Sequence, residues 1–265
     1  MQWNVLAGTA LAILVLMVLV WALSVKIKDA SIVDIVWGLG FVVVAWVART
    51  LADGDRTRQW VLVALTTIWG VRLAGYLFNR NHGNGEDYRY RAMRKHYGPK
   101  FPIISLVSVF GLQGVLMWVV SMPLQLGMMR STPSGLGVLG IIGVAVWILG
   151  FGFETMGDAQ LAKFKADPSS KGQVMNKGLW GWTRHPNYFG DCCMWWGLFL
   201  IAAAGGGFAW AAIIGPLVMT GLLLKVSGVA MLERTIGRRR PGYAEYVAST
   251  SAFFPRPPKR LAIKP

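Results

Sequence analysis

The chain has 265 residues, of which 54% are hydrophobic and only 15% are charged. This composition excludes an ordinary soluble domain, because several apolar runs are long enough to cross a bilayer. The 27 lysines and arginines against 12 acids give a net charge of +15, but no nucleic-acid motif accompanies it, so the charge indicates membrane topology and lipid contact.

The apolar runs predict an all-α integral membrane protein with seven transmembrane helices. We expect these helices at Trp3 to Val25, Ile32 to Thr50, Trp60 to Leu77, Ile103 to Gly127, Gly135 to Gly152 or beyond, Tyr188 to Ala204, and Phe208 to Val229. The first run lacks a basic leader and a cleavage site, so we expect it to be retained. We treat residues 1–265 as a single membrane domain, with helices one to four in residues 1–130 and helices five to seven in residues 131–265.

Basic residues concentrate after helix three, after helix five and in the C-terminal tail. Short loops rich in lysine and arginine stay in the cytoplasm, and with seven helices these three regions fall on one side. The N-terminus is therefore expected outside and the C-terminus in the cytoplasm. The loop with Arg49, Arg56 and Arg58 opposes this orientation, although Asp53 and Asp55 accompany it. Length and the lack of a targeting signal fit a bacterial inner membrane, but an endoplasmic reticulum protein would share both features.

Helix two opens with a polar turn in which Ser31 can cap the helix and Asp34 takes the third helical position. Asp34 either completes the cap or faces a cavity beside Trp37, one turn away. In the second case a neutral acid would donate a hydrogen bond to a substrate carbonyl.

Helix three carries Trp69, Arg72 and Tyr76 on one stripe. Such stripes often only pack, but a mid-helix arginine needs a partner inside a membrane, and Asp34 is a possible one.

The polar loop from Asn79 to Asp87 follows, and Tyr88 to Arg91 starts an amphipathic cytoplasmic helix. The loop is either solvated or helps to enclose a phosphate-bearing ligand with Arg80 and Asn81.

Helix five ends with Glu154, Asp158 and Leu161 on one face, followed by Lys163 and Lys165. An intrahelical pair between Asp158 and a lysine would explain part of the pattern. It would not explain Glu154, which lies deeper.

The most informative stretch runs from Thr183 to Asp191. Pro186 suits the first turn of a helix, and Asn187 and Asp191 then share one face of it. Arg184 and His185 lie just before that turn, near the positive end of the helix dipole, where the field favours an anion such as phosphate.

The alternative is a membrane-interface anchor made of Arg184, Trp180 and Trp182, but it leaves Asp191 unexplained. The two cysteines are adjacent and form neither a metal nor a disulfide framework, so no metal is expected. The chain contains no GxGxxG after a strand and no P-loop.

Three segments carry a resemblance to a known family: Thr183 to Asp191, Ser31 to Gly38, and Tyr243 to Pro258. They resemble the membrane family that contains the steroid 5α-reductases (3-oxo-5α-steroid 4-dehydrogenases) and their bacterial relatives of the DUF1295 type. The similarity runs over nearly the whole chain. It implies that NADPH is the cofactor and that residues 131–265 form the NADPH-binding half, while residues 1–130 form the substrate-side half.

The resemblance assigns Asn187 and Asp191 to NADPH binding, together with a second run at the end of helix five. Lys165 stands where the steroid enzymes carry an arginine, which keeps the charge but loses bidentate phosphate contact. The full set of cofactor-binding residues is Asp158, Leu161, Lys165, Arg184, His185, Asn187, Tyr188, Asp191, Arg80, Asn81, Glu233 and Arg234.

The resemblance also places Asp34 near the catalytic glutamate of helix two and Tyr76 at a substrate-side tyrosine. The tyrosine that partners this glutamate falls at Trp69, whose indole donates a hydrogen bond but is no acid. Trp37 and Arg72 are the expected substrate contacts.

The implied chemistry is reduction of the 4,5 double bond of a 3-oxo-4-ene steroid or similar enone lipid. NADPH delivers hydride to the β-carbon, and an acid polarises the carbonyl, where stabilising the developing enolate is the main demand. The expected partners are this apolar substrate and membrane lipids, with no nucleic acid and no obligate protein partner.

Two other functions stay open. The Arg184-His185-Pro186 turn also resembles the isoprenylcysteine carboxyl methyltransferases, which use S-adenosylmethionine; their tail usually pairs two acids, whereas Glu233 is followed here by Arg234. A transporter or lipid-binding protein would use intramembrane acids for ion coupling, but the two halves show no repeated hydropathy pattern.

Overall fold

The structure is a computed structural model, and it describes residues 2–226 and 241–259. These residues form helices, turns and loops, and an isolated parallel bridge pairs Thr183 with Ser251. The α-helices are α1 (Trp3–Ile27), α2 (Ile32–Leu51), α3 (Arg56–Asn81), α4 (Tyr88–Tyr97), α5 (Phe101–Ser105), α6 (Leu112–Val120), α7 (Met122–Met128), α8 (Gly137–Ala166), α9 (Leu179–Trp182), α10 (Pro186–Ala203), α11 (Ile214–Gly221) and α12 (Tyr243–Ser249). Tighter or wider turns connect several of them, with 3-10 helix at Gly98–Lys100, Pro168–Ser170 and Gly207–Ile213 and π-helix at Leu106–Gly111 and Leu222–Val226.

Among the described residues, six helical segments are long and apolar enough to cross a bilayer. They are Trp3–Ile27, Ile32–Leu51, Arg56–Asn81, Tyr88–Val120, Gly137–Ala166 and Gly207–Lys225. Large apolar side chains on these segments are exposed, as expected for helices that face lipid: Ile103 is 73% exposed and Val138 is 77% exposed. The prediction of an all-helical, multi-pass membrane protein is confirmed.

The predicted span from Tyr188 to Ala204 is helical over Pro186–Ala203 but is not one of these six. Asn187 and Asp191 lie in its first turns and lower its hydropathy. The predicted span from Phe208 to Val229 is helical as far as Val226, and its last residues lie outside the described part of the chain. The count of seven and the orientation of the termini therefore stay predictions.

The chain divides into two compact units. Unit 1 contains Met1–Ile141 and Phe199–Gly215, and unit 2 contains Ile142–Leu198 and Pro216–Pro265.

In unit 1, α2 crosses α3 at a pair of glycines. A Cβ added to Gly38 would lie 2.8 Å from the carbonyl oxygen of Gly70, and a Cβ on Gly70 would lie 2.5 Å from that of Gly38. Only glycine permits this approach, which is how membrane helices pack closely without a hydrophobic driving force. The rings of Trp37 and Trp69 both pack on Phe41, with centroids 5.1 Å and 5.7 Å away, and extend the contact.

A buried cluster of hydrogen-bonded polar side chains lies at the break between α6 and α7. Pro123, in the first turn of α7, has no amide hydrogen, so the helix is interrupted there, as its sequence predicts. The Gln125 side chain accepts a hydrogen bond from Thr9 Oγ1 at 2.8 Å and donates to Ser121 Oγ at 2.8 Å. Its amide also donates to the Trp118 carbonyl at 2.8 Å, so the buried side chain is satisfied.

In unit 2, α8 and α10 run antiparallel along a seam of four glycines, which we name the glycine seam. A Cβ on Gly150 would lie 2.5 Å from the carbonyl oxygen of Gly190, and a Cβ on Gly197 would lie 2.6 Å from that of Gly143. Because the backbones touch, the polar end of α8 is brought directly against the first turn of α10.

Candidate functional site

Asp34 lies in the first turn of α2, and both of its carboxylate oxygens accept hydrogen bonds. Arg89 Nη2 donates to Oδ2 at 2.7 Å, and the Tyr90 hydroxyl donates to Oδ1 at 2.8 Å. These partners reach Asp34 because α4 begins with Arg89 and Tyr90 against the first turn of α2, and the suggested pairing with Arg72 stays a prediction. These bonds show that Asp34 does more than complete the helix cap.

Ser31 does not cap α2 with its side chain. Its hydroxyl instead donates to the carboxylate of Asp29 and accepts from the Asp87 amide at 3.3 Å. The predicted cap is wrong because two nearby groups compete successfully for the hydroxyl.

Two further acids attach the loop before α4 to the start of α2. Glu86 accepts from the Ala30 amide at 2.8 Å and from Arg94 Nη2 and Nε at 2.7 Å and 3.0 Å. Asp87 caps α4 by accepting from the Arg89 amide at 2.9 Å, and it also accepts from Arg89 Nε at 2.9 Å. We refer to Asp34, Glu86, Asp87, Arg89, Tyr90 and Arg94 as the charge clamp.

The arginines keep the loop acids charged. Burial raises the pKa of Glu86, but hydrogen bonds from Arg94 and the Ala30 amide outweigh it and hold the pKa below its usual range. Burial likewise opposes the bonds from Arg89 that lower the pKa of Asp87.

A polar cleft with a volume of about 190 Å³ lies beside the charge clamp. Its lining residues are Ser31, Asn81, Asn84, Gly85, Glu86, Asp87, Tyr88 and Arg91. Two residues of this region are predicted phosphate contacts. Asn81 lines the cleft. Arg80 is exposed, and its Nε donates to Asn81 Oδ1 at 3.0 Å.

The other predicted substrate-side residues lie on α2 and α3. Trp69 is buried against Phe41 in the interior of unit 1, while Trp37, Arg72 and Tyr76 are half-buried.

In unit 2, the glycine seam brings two predicted cofactor residues together. The Asn187 Nδ2 donates to Asp158 Oδ1 at 3.2 Å. Asp158 and Glu154 on α8 are each only 4% exposed. A Cβ on Gly157 would lie 3.2 Å from Pro186 Cγ, so the first turn of α10 rests on α8 at this point.

Arg184 is buried just before α10 and holds the tail. Its Nη1 donates to the Thr250 carbonyl at 2.6 Å and to the Val247 carbonyl at 3.2 Å, which places a cation at the C-terminal end of α12. Its backbone amide donates to the Ser251 carbonyl at 2.8 Å.

Residues 251–256 of the tail lie along residues 182–184 and bond to them, and we name this part of the tail the strap. Thr183 Oγ1 donates to the Phe253 carbonyl at 2.8 Å, and the Arg256 amide donates to the Trp182 carbonyl at 2.9 Å. The proline-rich segment 251–258 therefore docks against the residues that precede α10.

Trp180 fixes the segment that precedes α10. Its indole Nε1 donates to the Gly157 carbonyl at 3.0 Å, and its own carbonyl accepts from the Tyr246 hydroxyl at 2.6 Å. Gly178 precedes it with φ +59°, and a Cβ there would lie 2.7 Å from Gln160 Nε2, so glycine is needed on both counts.

The remaining predicted cofactor residues lie at the ends of α8 and α10. His185 stacks on Tyr188 with ring centroids 5.5 Å apart. Leu161 is half-buried and Lys165 is exposed near the end of α8, while Asp191 is half-buried on α10. The predicted contacts Glu233 and Arg234 lie outside the described residues.

Sequence reasoning missed the partners of Asp34. Arg89 and Tyr90 lie 55 and 56 residues further along the chain. The available signal was the run from Glu86 to Arg94, in which two acids are followed by three arginines; it predicts local ion pairs but not the contact with α2. In the part of the chain that the structure describes, no cluster of histidine, cysteine and acidic residues suits a metal ion, and the expectation of no metal stays a prediction.

Comparisons with known proteins identify a relative and a family. The chain is 25% identical over 271 residues to an uncharacterised protein of the fission yeast Schizosaccharomyces pombe, covering 89% of this chain and 75% of the yeast protein. No solved structure matches it. The sequence profile of a family described as "Protein of unknown function (DUF1295)" matches residues 20–250, which is most of the chain. This family is related to steroid 5α-reductase-like proteins. The chain, with its motif from Thr183 to Asp191 inside the matched region, therefore belongs to the DUF1295 family.

Proposed function

We propose that the protein is an NADPH-dependent reductase of the 4,5 double bond of 3-oxo-4-ene steroids or similar enone lipids. The observation that carries the proposal is the hydrogen bond between buried Asp158 and half-buried Asn187 at the start of α10. Arg184 and His185 directly precede it, and all four are residues that the resemblance to the steroid 5α-reductases assigns to the cofactor.

The chemistry of this cluster fits a dinucleotide. A carboxylate beside a carboxamide can accept from ribose hydroxyls and donate to their oxygens. Lys165 supplies an exposed cation for a phosphate, and the half-buried ring of Tyr188, which stacks on the buried His185, offers an aromatic face. Asp191 adds an acceptor one turn further along α10.

NADPH, when bound, supplies the hydride. The protein must then stabilise negative charge on the carbonyl oxygen and provide a proton. We assign the donor to Asp34, with Tyr76 or Trp69 beside it and with Trp37 and Arg72 against the substrate. To donate, Asp34 takes up a proton and exchanges its ion pair with Arg89 for the substrate oxygen, while Arg89 keeps its second partner, Asp87, at 2.9 Å.

The test is oxidation of NADPH by detergent-purified protein, followed by loss of absorbance with and without progesterone or testosterone. Steroid-dependent oxidation is the expected result. If NADPH does not bind and S-adenosylmethionine does, the reductase proposal is overturned in favour of the methyltransferase, which the Arg184-His185-Pro186 turn also resembles.

Replacing Asp34 with Asn should lower kcat by about 100-fold or more, because asparagine cannot supply a proton. It should also flatten the pH dependence of turnover. The matched control is Glu86→Gln, which weakens the charge clamp without touching Asp34. Full turnover with an unchanged pH profile, or an equal loss in the control, removes Asp34 from the chemistry.

Replacing Asp191 with Ala should weaken NADPH binding by about tenfold or more, as expected for loss of a hydrogen-bonding carboxylate in a partly buried site. The dissociation constant can be measured by the change in NADPH fluorescence. Unchanged affinity would count against the cofactor assignment of α10.

As part of the same proposal, the chain has seven spans, an external N-terminus, and a cofactor site on the cytoplasmic face of a bacterial inner membrane. The support is the basic character of the connections after α3 and α8. With Cys192 and Cys193 replaced by alanine, the separate variants Lys171→Cys and Gln2→Cys should then react with an impermeant thiol reagent from opposite sides of the membrane.

A further inference from the structure

The short helix α4 has two faces with different chemistry. Arg89, Tyr90 and Arg94 point inward, where they bond to Asp34, Asp87 and Glu86 of the charge clamp. Arg94 also lies over the ring of Phe101, with 4.4 Å from its guanidinium carbon to the ring centroid. The inner face of α4 is therefore neutralised within unit 1.

The outer face of α4 is basic, and Arg91 at its start also lines the polar cleft beside Glu86 and Asp87. Arg91 and Lys95 are exposed, and Lys100 is exposed in the 3-10 turn that follows. The sequence has no acidic residue between Asp87 and Glu154. Across residues 2–226 and 241–259, none of these three cations forms an ion pair with an acid.

Aromatic side chains lie at both ends of this basic face. Tyr88 is 61% exposed at the start of α4, and Tyr97 is 39% exposed at its end. Exposed tyrosines beside lysine and arginine are typical of the headgroup layer of a membrane, because the ring is apolar and the hydroxyl is polar.

The chain then passes from α4 into lipid-facing helix. Ile103 and Val107 are 73% and 71% exposed, only one and two turns after Lys100. The indole of Trp21, near the C-terminal end of α1, donates to the Pro102 carbonyl at 2.8 Å. This bond attaches the start of the lipid-facing helix to α1. The basic face of α4 therefore lies where the apolar surface of unit 1 ends.

We propose that the outer face of α4 is a binding surface for anionic phospholipid headgroups, with Arg91, Lys95 and Lys100 contacting their phosphates. The charge complementarity and the adjoining lipid-facing helix favour this occupant over an acidic protein or a nucleic acid. The charge clamp serves this surface by holding α4 in place, with Arg91 and Lys95 exposed on its other face. The inference does not depend on the reductase proposal.

The experiment uses the full chain, purified in detergent and incubated with equal amounts of phosphatidylglycerol and phosphatidylethanolamine. Native mass spectrometry then counts the lipids that each protein retains. The triple variant Arg91→Gln, Lys95→Gln and Lys100→Gln should lose its preference for phosphatidylglycerol by about tenfold or more, given the contribution of each basic residue to headgroup attraction.

The matched control removes the same charge elsewhere, with Lys171→Gln, Lys177→Gln and Lys259→Gln, all exposed. It should keep the preference. An unchanged preference in the α4 variant overturns the proposal and leaves the face to an acidic macromolecule. An equal loss in the control also overturns it, because the effect would then follow net charge alone. Thermal unfolding of both variants should match that of the parent, since all six side chains are exposed.

Discussion

The polar cluster of unit 1 and that of unit 2 are held by different forces. In the charge clamp, carboxylates and guanidinium groups hold one another, and the two ends of the network belong to separate segments of the chain. In the cluster of Asp158 and Asn187, the side chains are positioned by backbone contacts: a glycine seam on one side and a tail bonded through carbonyls on the other.

This difference predicts different sensitivities. A network of ion pairs weakens when a charge is removed, when pH falls or when salt screens it. A backbone seam is insensitive to all three but has no room for an added methyl group.

The largest effect is expected for Gly150→Ala in the glycine seam. The new Cβ would lie 2.5 Å from the Gly190 carbonyl oxygen and 2.8 Å from the Met194 amide nitrogen, and backbone atoms cannot move aside singly. We expect a loss of about 3 kcal/mol or more of stability, measured by thermal unfolding in detergent. NADPH affinity should fall with it, because Asp158 and Asn187 would separate.

Gly152→Ala is the control, two residues further along the same helix. There a Cβ would meet only Met156 Cε, at 3.8 Å, so stability should be unchanged within about 0.5 kcal/mol. Equal effects of the two substitutions would mean that the seam does not hold the cluster.

A smaller effect is expected for Arg184→Ala, which removes the donor to the Thr250 and Val247 carbonyls. The strap keeps its bonds to Thr183 and Trp182, so we expect partial release and a loss of about 2 kcal/mol. Limited proteolysis should cut the variant faster beyond residue 247. Arg256→Ala, whose side chain is exposed, should leave the cleavage rate unchanged; faster cleavage of both would show that any lost charge loosens the tail.

The two clusters also differ in how well the sequence predicts them. Pro186 and the residues around it predict the start of α10, and hydropathy predicts the apolar helices to within a few residues at most ends. These signals are local. The contact between Asp34 and Tyr90 depends on how α4 folds back onto α2, and no periodic pattern encodes a pairing between segments so far apart.

The glycine seam is visible in the sequence as a spacing of seven between Gly143 and Gly150 and again between Gly190 and Gly197. A repeat of seven places small residues on one side of a helix and favours close packing. Its antiparallel register could not be predicted, because register depends on which glycine meets which.

The smallest effect, and the one that best separates the two clusters, is expected for Glu86→Gln. The variant keeps one bond to the Ala30 amide or Arg94 but loses the charge, so we expect a loss of about 1 kcal/mol of stability at neutral pH, since Arg94 is partly exposed.

The pKa of Glu86 is lowered in the folded protein. Its contribution is therefore complete above the pKa of the unfolded chain and is lost as pH falls through the lower, folded value. The difference in unfolding free energy between the parent and the variant should disappear on acidification. Added salt should reduce this difference at neutral pH. Asp167→Asn serves as the control, because the side chain of this exposed acid bonds to Ser169, two residues away, and to no distant segment within residues 2–226 and 241–259. If the parent remains more stable than Glu86→Gln at low pH, the charge clamp acts through packing and not through charge. The proposed role of charge in unit 1 would then be wrong, while the glycine substitutions would still test the role of the glycine seam in unit 2.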